Sequence, residues 1–126
     1  MAFAPLGHRR WAIPEGYIPG TSTGPHPEML SHETACMLNV SDQTAHIELT
    51  IFFSDREPLG TYRLEVAARR TLHLRFNDLE EPKSIPRDTD FACLIEANVP
   101  IVVQHTRLDS RQAENALLST IAFPAD

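Results

Sequence analysis

The chain has 126 residues, enough for one domain with a real core and too few for two. Its 42% hydrophobic and 22% charged content fits a soluble globular protein, and no apolar run approaches the ~20 residues of a membrane span. A formal net charge of −6 argues against wholesale nucleic-acid binding, which draws on a basic face.

In chain order, Arg9-Arg10 follows the first apolar residues instead of preceding them, the reverse of a secretory signal, so a cytoplasmic location is expected. Trp11–Ile13 reads as a short strand, and Gly16–Pro27, with three Gly and three Pro, as a long loop. Thr34–Asn39 reads as the next strand. Ala45, Ile47, Leu49, Ile51 and Phe53 alternate with His46, Glu48 and Thr50, the period of a strand with one buried face. Turn chemistry at Ser41-Asp42 and from Ser54 to Gly60 brackets that strand. Tyr62, Leu64 and Val66 alternate in the same way, as do Leu72, Leu74 and Phe76, before Asn77-Asp78 and a Pro-rich loop over Glu81–Asp88. Phe91–Ala97 and Pro100–Leu108 are expected to be two strands joined by a tight connection at Asn98-Val99-Pro100. Asn115–Ala122 closes the series, with a short helix over Ser110–Leu118 ranked below the extended form. Many short strands with Pro and Gly punctuation predict an all-β fold, a single-domain antiparallel β-sandwich of jelly-roll type. The domain is expected over residues 1–126, with 1–10 and 123–126 peripheral.

Catalytic and metal signatures are weak. His8, His26, His32, His46, His73 and His105 are scattered without HxH, HxxxH or HExxH spacing, so no metal is expected. There is no GxSxG, and Cys36 and Cys93 lie in apolar runs where a thiolate is disfavoured, so both are expected as buried free thiols. The carboxylates at Glu80-Glu81 and Asp88/Asp90 lie in loop-like sequence, where solvation explains them better than acid–base work. No glycine-rich phosphate loop is present, and neither an enzyme nor a cofactor is expected. Ten of the eleven basic residues are Arg, a bias toward ordered ion pairs and interfaces. Arg69, Arg70 and Arg75 read as salt-bridged sheet surface before they read as an anion site. Trp11, the only tryptophan, is as well explained by a core position as by stacking on a flat ligand.

Several segments together resemble the Anabaena sensory rhodopsin transducer family. They are Trp11–Pro19, Ser31–Thr34, Ser54–Pro58, Arg75–Leu79, Asp88–Phe91 and Asn98–Thr120, and together they reach from about residue 11 to about residue 122. The resemblance implies a small cytoplasmic β-sandwich that assembles as a homotetramer and acts in signalling. One member acts beside a microbial rhodopsin, and others occur where none is expected. The wider group is read as a sensor of small polar metabolites, sugars above all. Residue types in the matching segments that suit polyol recognition are Trp11 as stacking platform, with Glu33, Gln104, Arg107 and Asn115 as hydrogen-bond partners and His32 and His105 next. In an extended strand Gln104 and Thr106 share one face while His105 and Arg107 share the other, so one pocket cannot use both sets. The expected partners are therefore a second copy of the chain, a small polar metabolite and a rhodopsin or other signalling protein. The first function expected is a metabolite sensor; a ligand-free adaptor for a membrane photoreceptor is the alternative, and a nucleic-acid regulator is the least favoured.

Overall fold

The computed structural model describes residues 4–27 and 29–125. Eight strands follow one another: β1 His8–Tyr17, β2 His32–Asn39, β3 Ala45–Phe52, β4 Leu59–Val66, β5 Arg70–Arg75, β6 Asp90–Asp109, β7 Ala116–Ile121 and β8 Phe123–Ala125. A single 3-10 turn at Phe76–Asp78 ends β5, as the Asn-Asp pair foretells. All the pairings are antiparallel.

β6 organises the molecule. Its 20 residues are one strand, and they pair with two different sets of neighbours. Over Ala92–Ala97 it lies beside β3, and from Asp90 to Ile101 beside β1, in a leaf ordered β4-β3-β6-β1-β8. From Val102 to Leu108 it pairs with β2, and from Gln104 to Asp109 with β7, in a second leaf ordered β5-β2-β6-β7. The two leaves enclose one core, in which Ile13, Ile47, Leu49, Ile51 and Ile95 of the first meet Ala35, Met37 and Val103 of the second. This is the expected antiparallel sandwich.

The tight connection expected at Asn98-Val99-Pro100 does not form. The chain runs straight through, because these residues mark the change of leaf. Asn98 turns its Oδ1 to the backbone N–H of His46 at 2.7 Å. Pro100, which has no N–H to donate, sits beside the switch of ladder partners, where its missing bond costs least.

Alternation fixes which side of each strand faces inward. In β3, Ala45, Ile47, Leu49 and Ile51 are buried while His46 and Glu48 are exposed. β2 buries Glu33, Ala35, Met37 and Asn39. Buried Asn39 holds the turn into β3 by donating from Nδ2 to the carbonyls of Gln43 (2.7 Å) and Val66 (3.1 Å). Both cysteines are free; Cys93 is buried and Cys36 only half-buried, on the outer face of β2. Burial pushes the Cys93 thiol well above its ordinary range. The Ser110–Leu118 segment forms no helix: it bends and then extends as β7.

Candidate functional site

A carboxylate with no exposed surface marks the polar end of the core. Glu33 sits on the inward phase of β2 at 0% exposure. His105 and Arg107 sit on the inward phase of β6, two residues apart, so their side chains converge on it. His105 Nε2 lies 2.7 Å from Glu33 Oε1. Because the carboxylate accepts, that nitrogen carries the proton. Arg107 Nε donates to Glu33 Oε2 at 2.8 Å, and the backbone N–H of Tyr17 donates to the same oxygen at 2.7 Å. Arg107 Nη2 is also 2.7 Å from that oxygen, yet its N–H bonds point off the acceptor, so this contact is Coulombic and not a hydrogen bond. Burial alone would lower the Arg107 pKa, but the Glu33 hydrogen bond and charge, with Glu15 and Asp109 behind them, hold it above its ordinary value. Glu33 thereby ties β1 of the first leaf to β2 and β6 of the second.

Its backbone is tied as well. Asn77 in the 3-10 turn accepts from the Glu33 N–H at 3.3 Å and donates to the Ser31 carbonyl at 3.0 Å. Ser31 and Ser110, both fully buried, bond to each other through their hydroxyls at 3.0 Å.

Outside this buried unit lies a cleft of about 260 Å³, bounded by Glu15, Tyr17, Asp90, Arg107, Asp109 and Arg111. Arg107 forms its floor and reaches Glu15 at 3.7 Å. On its wall Arg111 clasps Asp109 with two nitrogens, at 3.0 and 2.6 Å, and lies 5.7 Å over the Tyr17 ring. The Arg111 hydrogen bond holds the Asp109 carboxyl below the usual carboxylate range. Asp88 accepts from the Gly20 N–H at 2.9 Å and lies 3.4 Å from the Tyr17 hydroxyl, pinning the loop that follows β1. A larger groove of about 550 Å³ runs over the outer face of the first leaf between His46, Glu48, Arg63, Glu65 and Glu96. Its ion pair, His46 with Glu65 at 3.3 Å, and the Glu96 that pairs with Arg10 are solvated, whereas the smaller cleft stands on buried charge, so the smaller one is the candidate site.

Of the residues singled out by type, the fold brings Glu33, His105 and Arg107 together and leaves four elsewhere. The Trp11 ring is in the core at 4% exposure, its Nε1 donating to the carbonyls of His8 (2.9 Å) and Ile101 (3.1 Å). Gln104 faces outward, bonded to the Ser119 hydroxyl. His32 lies on the same outer side with Nδ1 2.7 Å from the Leu30 carbonyl, and Asn115 is in the exposed bend before β7. Tyr17, Asp88, Asp109 and Arg111 also meet at the cleft, and no motif in the sequence marks them as site residues. The signal for Asp109 is the period of β6, which carries the Arg107 phase two residues on. Among the described residues no group of three His, Cys, Asp or Glu side chains is arranged to hold a metal ion, and no helix is long and apolar enough to cross a membrane.

No curated protein sequence matches the chain significantly. A solved structure of Anabaena sensory rhodopsin transducer is 60% identical, with a TM-score of 0.75, over 82% of this chain and 100% of that one. A crystal structure described as Thermotoga maritima 1070 is 35% identical, with a TM-score of 0.85, over 95% of this chain and 97% of that one. The family model for Anabaena sensory rhodopsin transducer matches residues 6–124, and the chain belongs to that family.

Proposed function

We propose that the chain is a cytoplasmic adaptor that passes a signal from a membrane photoreceptor of the microbial-rhodopsin type, or a similar signalling protein, by protein contacts and without catalysis. The observation that carries this reading is membership, over residues 6–124, of a family named for rhodopsin transduction. The pairing of buried charges supports it: Glu33, His105 and Arg107 answer one another, an arrangement that stiffens a scaffold. Self-association into a homotetramer belongs to the same reading, supported by the exposed apolar side chains of Leu117, Leu118, Ile121 and Phe123. The test is binding of the purified protein to a rhodopsin from the same genome, reconstituted in lipid nanodiscs. Saturable binding that differs between dark and illuminated samples is expected. No binding, or a source genome without a rhodopsin, would remove the photoreceptor from the account.

A second reading is carried by the cleft. Its Tyr17 ring, carboxylates and two guanidinium groups suit a small polar metabolite, a sugar among them, and a sensor would use Arg107 at its floor. A thermal-shift screen against sugars, sugar phosphates and polyols checks this. A ligand at ~100 times its dissociation constant adds about 2.7 kcal/mol to the folded state. The shift should vanish in Arg111→Ala, which leaves the buried unit intact; a flat screen would leave the adaptor alone.

A further inference from the structure

The cleft above Arg107 already holds a cation, and the chain itself supplies it. Arg111 stands in the exposed bend after β6 and turns back onto the cleft wall. Asp109 accepts from its Nε at 3.0 Å and its Nη2 at 2.6 Å, and the guanidinium lies 5.7 Å from the centre of the Tyr17 ring. A carboxylate that answers two N–H donors, with an aromatic face across from it, is the set of groups that binds a free guanidinium or ammonium ion. The hold on Arg111 is light. Its side chain keeps 49% of its surface in water. A solvated pair of this kind shifts an equilibrium by about fivefold at most, so a free cation can displace it.

The charge around this cation is lopsided. Glu15, Asp90 and Asp109 line the cleft, Asp88 lies 3.4 Å from the Tyr17 hydroxyl, and Glu33 lies beneath Arg107. Five carboxylates thus face two guanidinium groups, Arg107 and Arg111, and leave a balance of −3. Asp90, opposite Tyr17 in the β1–β6 ladder, has no ion-pair partner among the described residues. The Tyr17 hydroxyl senses the same field. Desolvation first and the Asp88 charge second hold its pKa above the ordinary value, with Asp90 adding to them and Arg111 opposing. A field of this sign repels a phosphate or carboxylate ligand and draws a positive one. We propose that the cleft is a binding site for a small organic cation, a guanidinium or primary-amine compound, and that Arg111 is its built-in competitor. This rests on the metabolite reading of the cleft and gives its ligand a charge. The incoming cation would take the place of Arg111 between Asp109 and the Tyr17 ring, within reach of Asp90, while Arg111 passes into solvent with its bend. Glu15, 80% exposed at the mouth, offers a second anionic contact, so a dication should bind better than a monocation. A volume of about 260 Å³ suits a compound of metabolite size.

Isothermal titration of the full chain with agmatine, L-arginine and L-citrulline tests the sign, because citrulline replaces the guanidinium by an uncharged group of the same shape. Agmatine should bind most tightly, and citrulline should bind more weakly than arginine by about tenfold. Arg111→Ala should tighten agmatine binding by up to about fivefold, and Asp90→Asn should weaken it, with both variants melting as the wild type does. In nitrogen-15 spectra the Arg111 Nε–H resonance should move toward that of free arginine as agmatine saturates the cleft. The Arg111→Ala variant also separates the ligand classes, since it should abolish a sugar shift and strengthen agmatine binding. Citrulline that binds as tightly as arginine, agmatine binding that weakens in Arg111→Ala, or a sugar that binds where agmatine does not would overturn the cation assignment and leave the metabolite reading standing. No binding of agmatine, arginine or any sugar to either protein would overturn both.

Discussion

A carboxylate shut away from water holds its charge only if its oxygens are answered, and Glu33 is answered by Tyr17 N–H, His105 and Arg107. Removing one member leaves the others buried and unpaired, which costs about 3–5 kcal/mol. Glu33→Gln and Arg107→Met are each expected to lose stability of that order in urea unfolding, and the double variant less than the sum of the two. Asp109 makes a smaller, pH-dependent prediction. Its carboxyl is held below the usual range first by the Arg111 hydrogen bond, so its folded pKa lies under the unfolded value of about 3.9. Stability from this pair is present above that value and is lost as pH falls through the folded pKa. Asp109→Asn should therefore flatten the acid limb of the stability curve slightly, slightly because the pair is largely solvated. At this scale the sequence was partly readable. The period of β6 sets His105 and Arg107 on the phase opposite Gln104 and Thr106, and the structure buries His105 and exposes Gln104 accordingly. Their convergence on Glu33, 72 positions from His105, depends on the pairing of β2 with β6, which no local pattern encodes.

Elements were most legible where one face is buried along the whole length, as in β3, whose alternation predicts both the strand and its inward side. They were least legible where one strand serves two leaves. Asn98-Val99-Pro100 has the composition of a turn, yet tertiary pairing on both sides keeps it extended. β1 carries a related irregularity. Its pairing with β6 shifts between Ile13 and Gly16, and there the backbone presses on the buried Phe91 ring. A Cβ at Gly16 would lie 2.4 Å from the ring's Cζ. Gly16→Ala should push Phe91 out of place and cost about 1–3 kcal/mol, read as a lower melting midpoint. Because Tyr17 is the next residue, the same change should loosen its N–H bond to Glu33.

Over the whole molecule the dominant quantity is the formal charge of −6. Cytoplasmic loops of membrane proteins carry an excess of Lys and Arg. An acidic adaptor would be steered toward them, and steering of this kind weakens steeply with ionic strength. Association with a nanodisc-bound partner, followed by stopped flow, should slow by about tenfold between low and physiological salt while dissociation changes little. A salt-independent rate would place the contact on the apolar surface instead.

Trp11 has a use that its packing role does not show. It is the sole indole, shielded from solvent, with its N–H shared between the carbonyls of His8 and Ile101 and the His8 ring standing edge-on 5.6 Å away. Ile101 lies beside the point where β6 changes leaf, so the fluorophore sits against the joint between the two halves. The protein thus carries its own optical gauge. Any partner, ligand or second copy that flexes that joint should shift the emission of an unlabelled sample, and one that binds without flexing it should leave the spectrum unmoved.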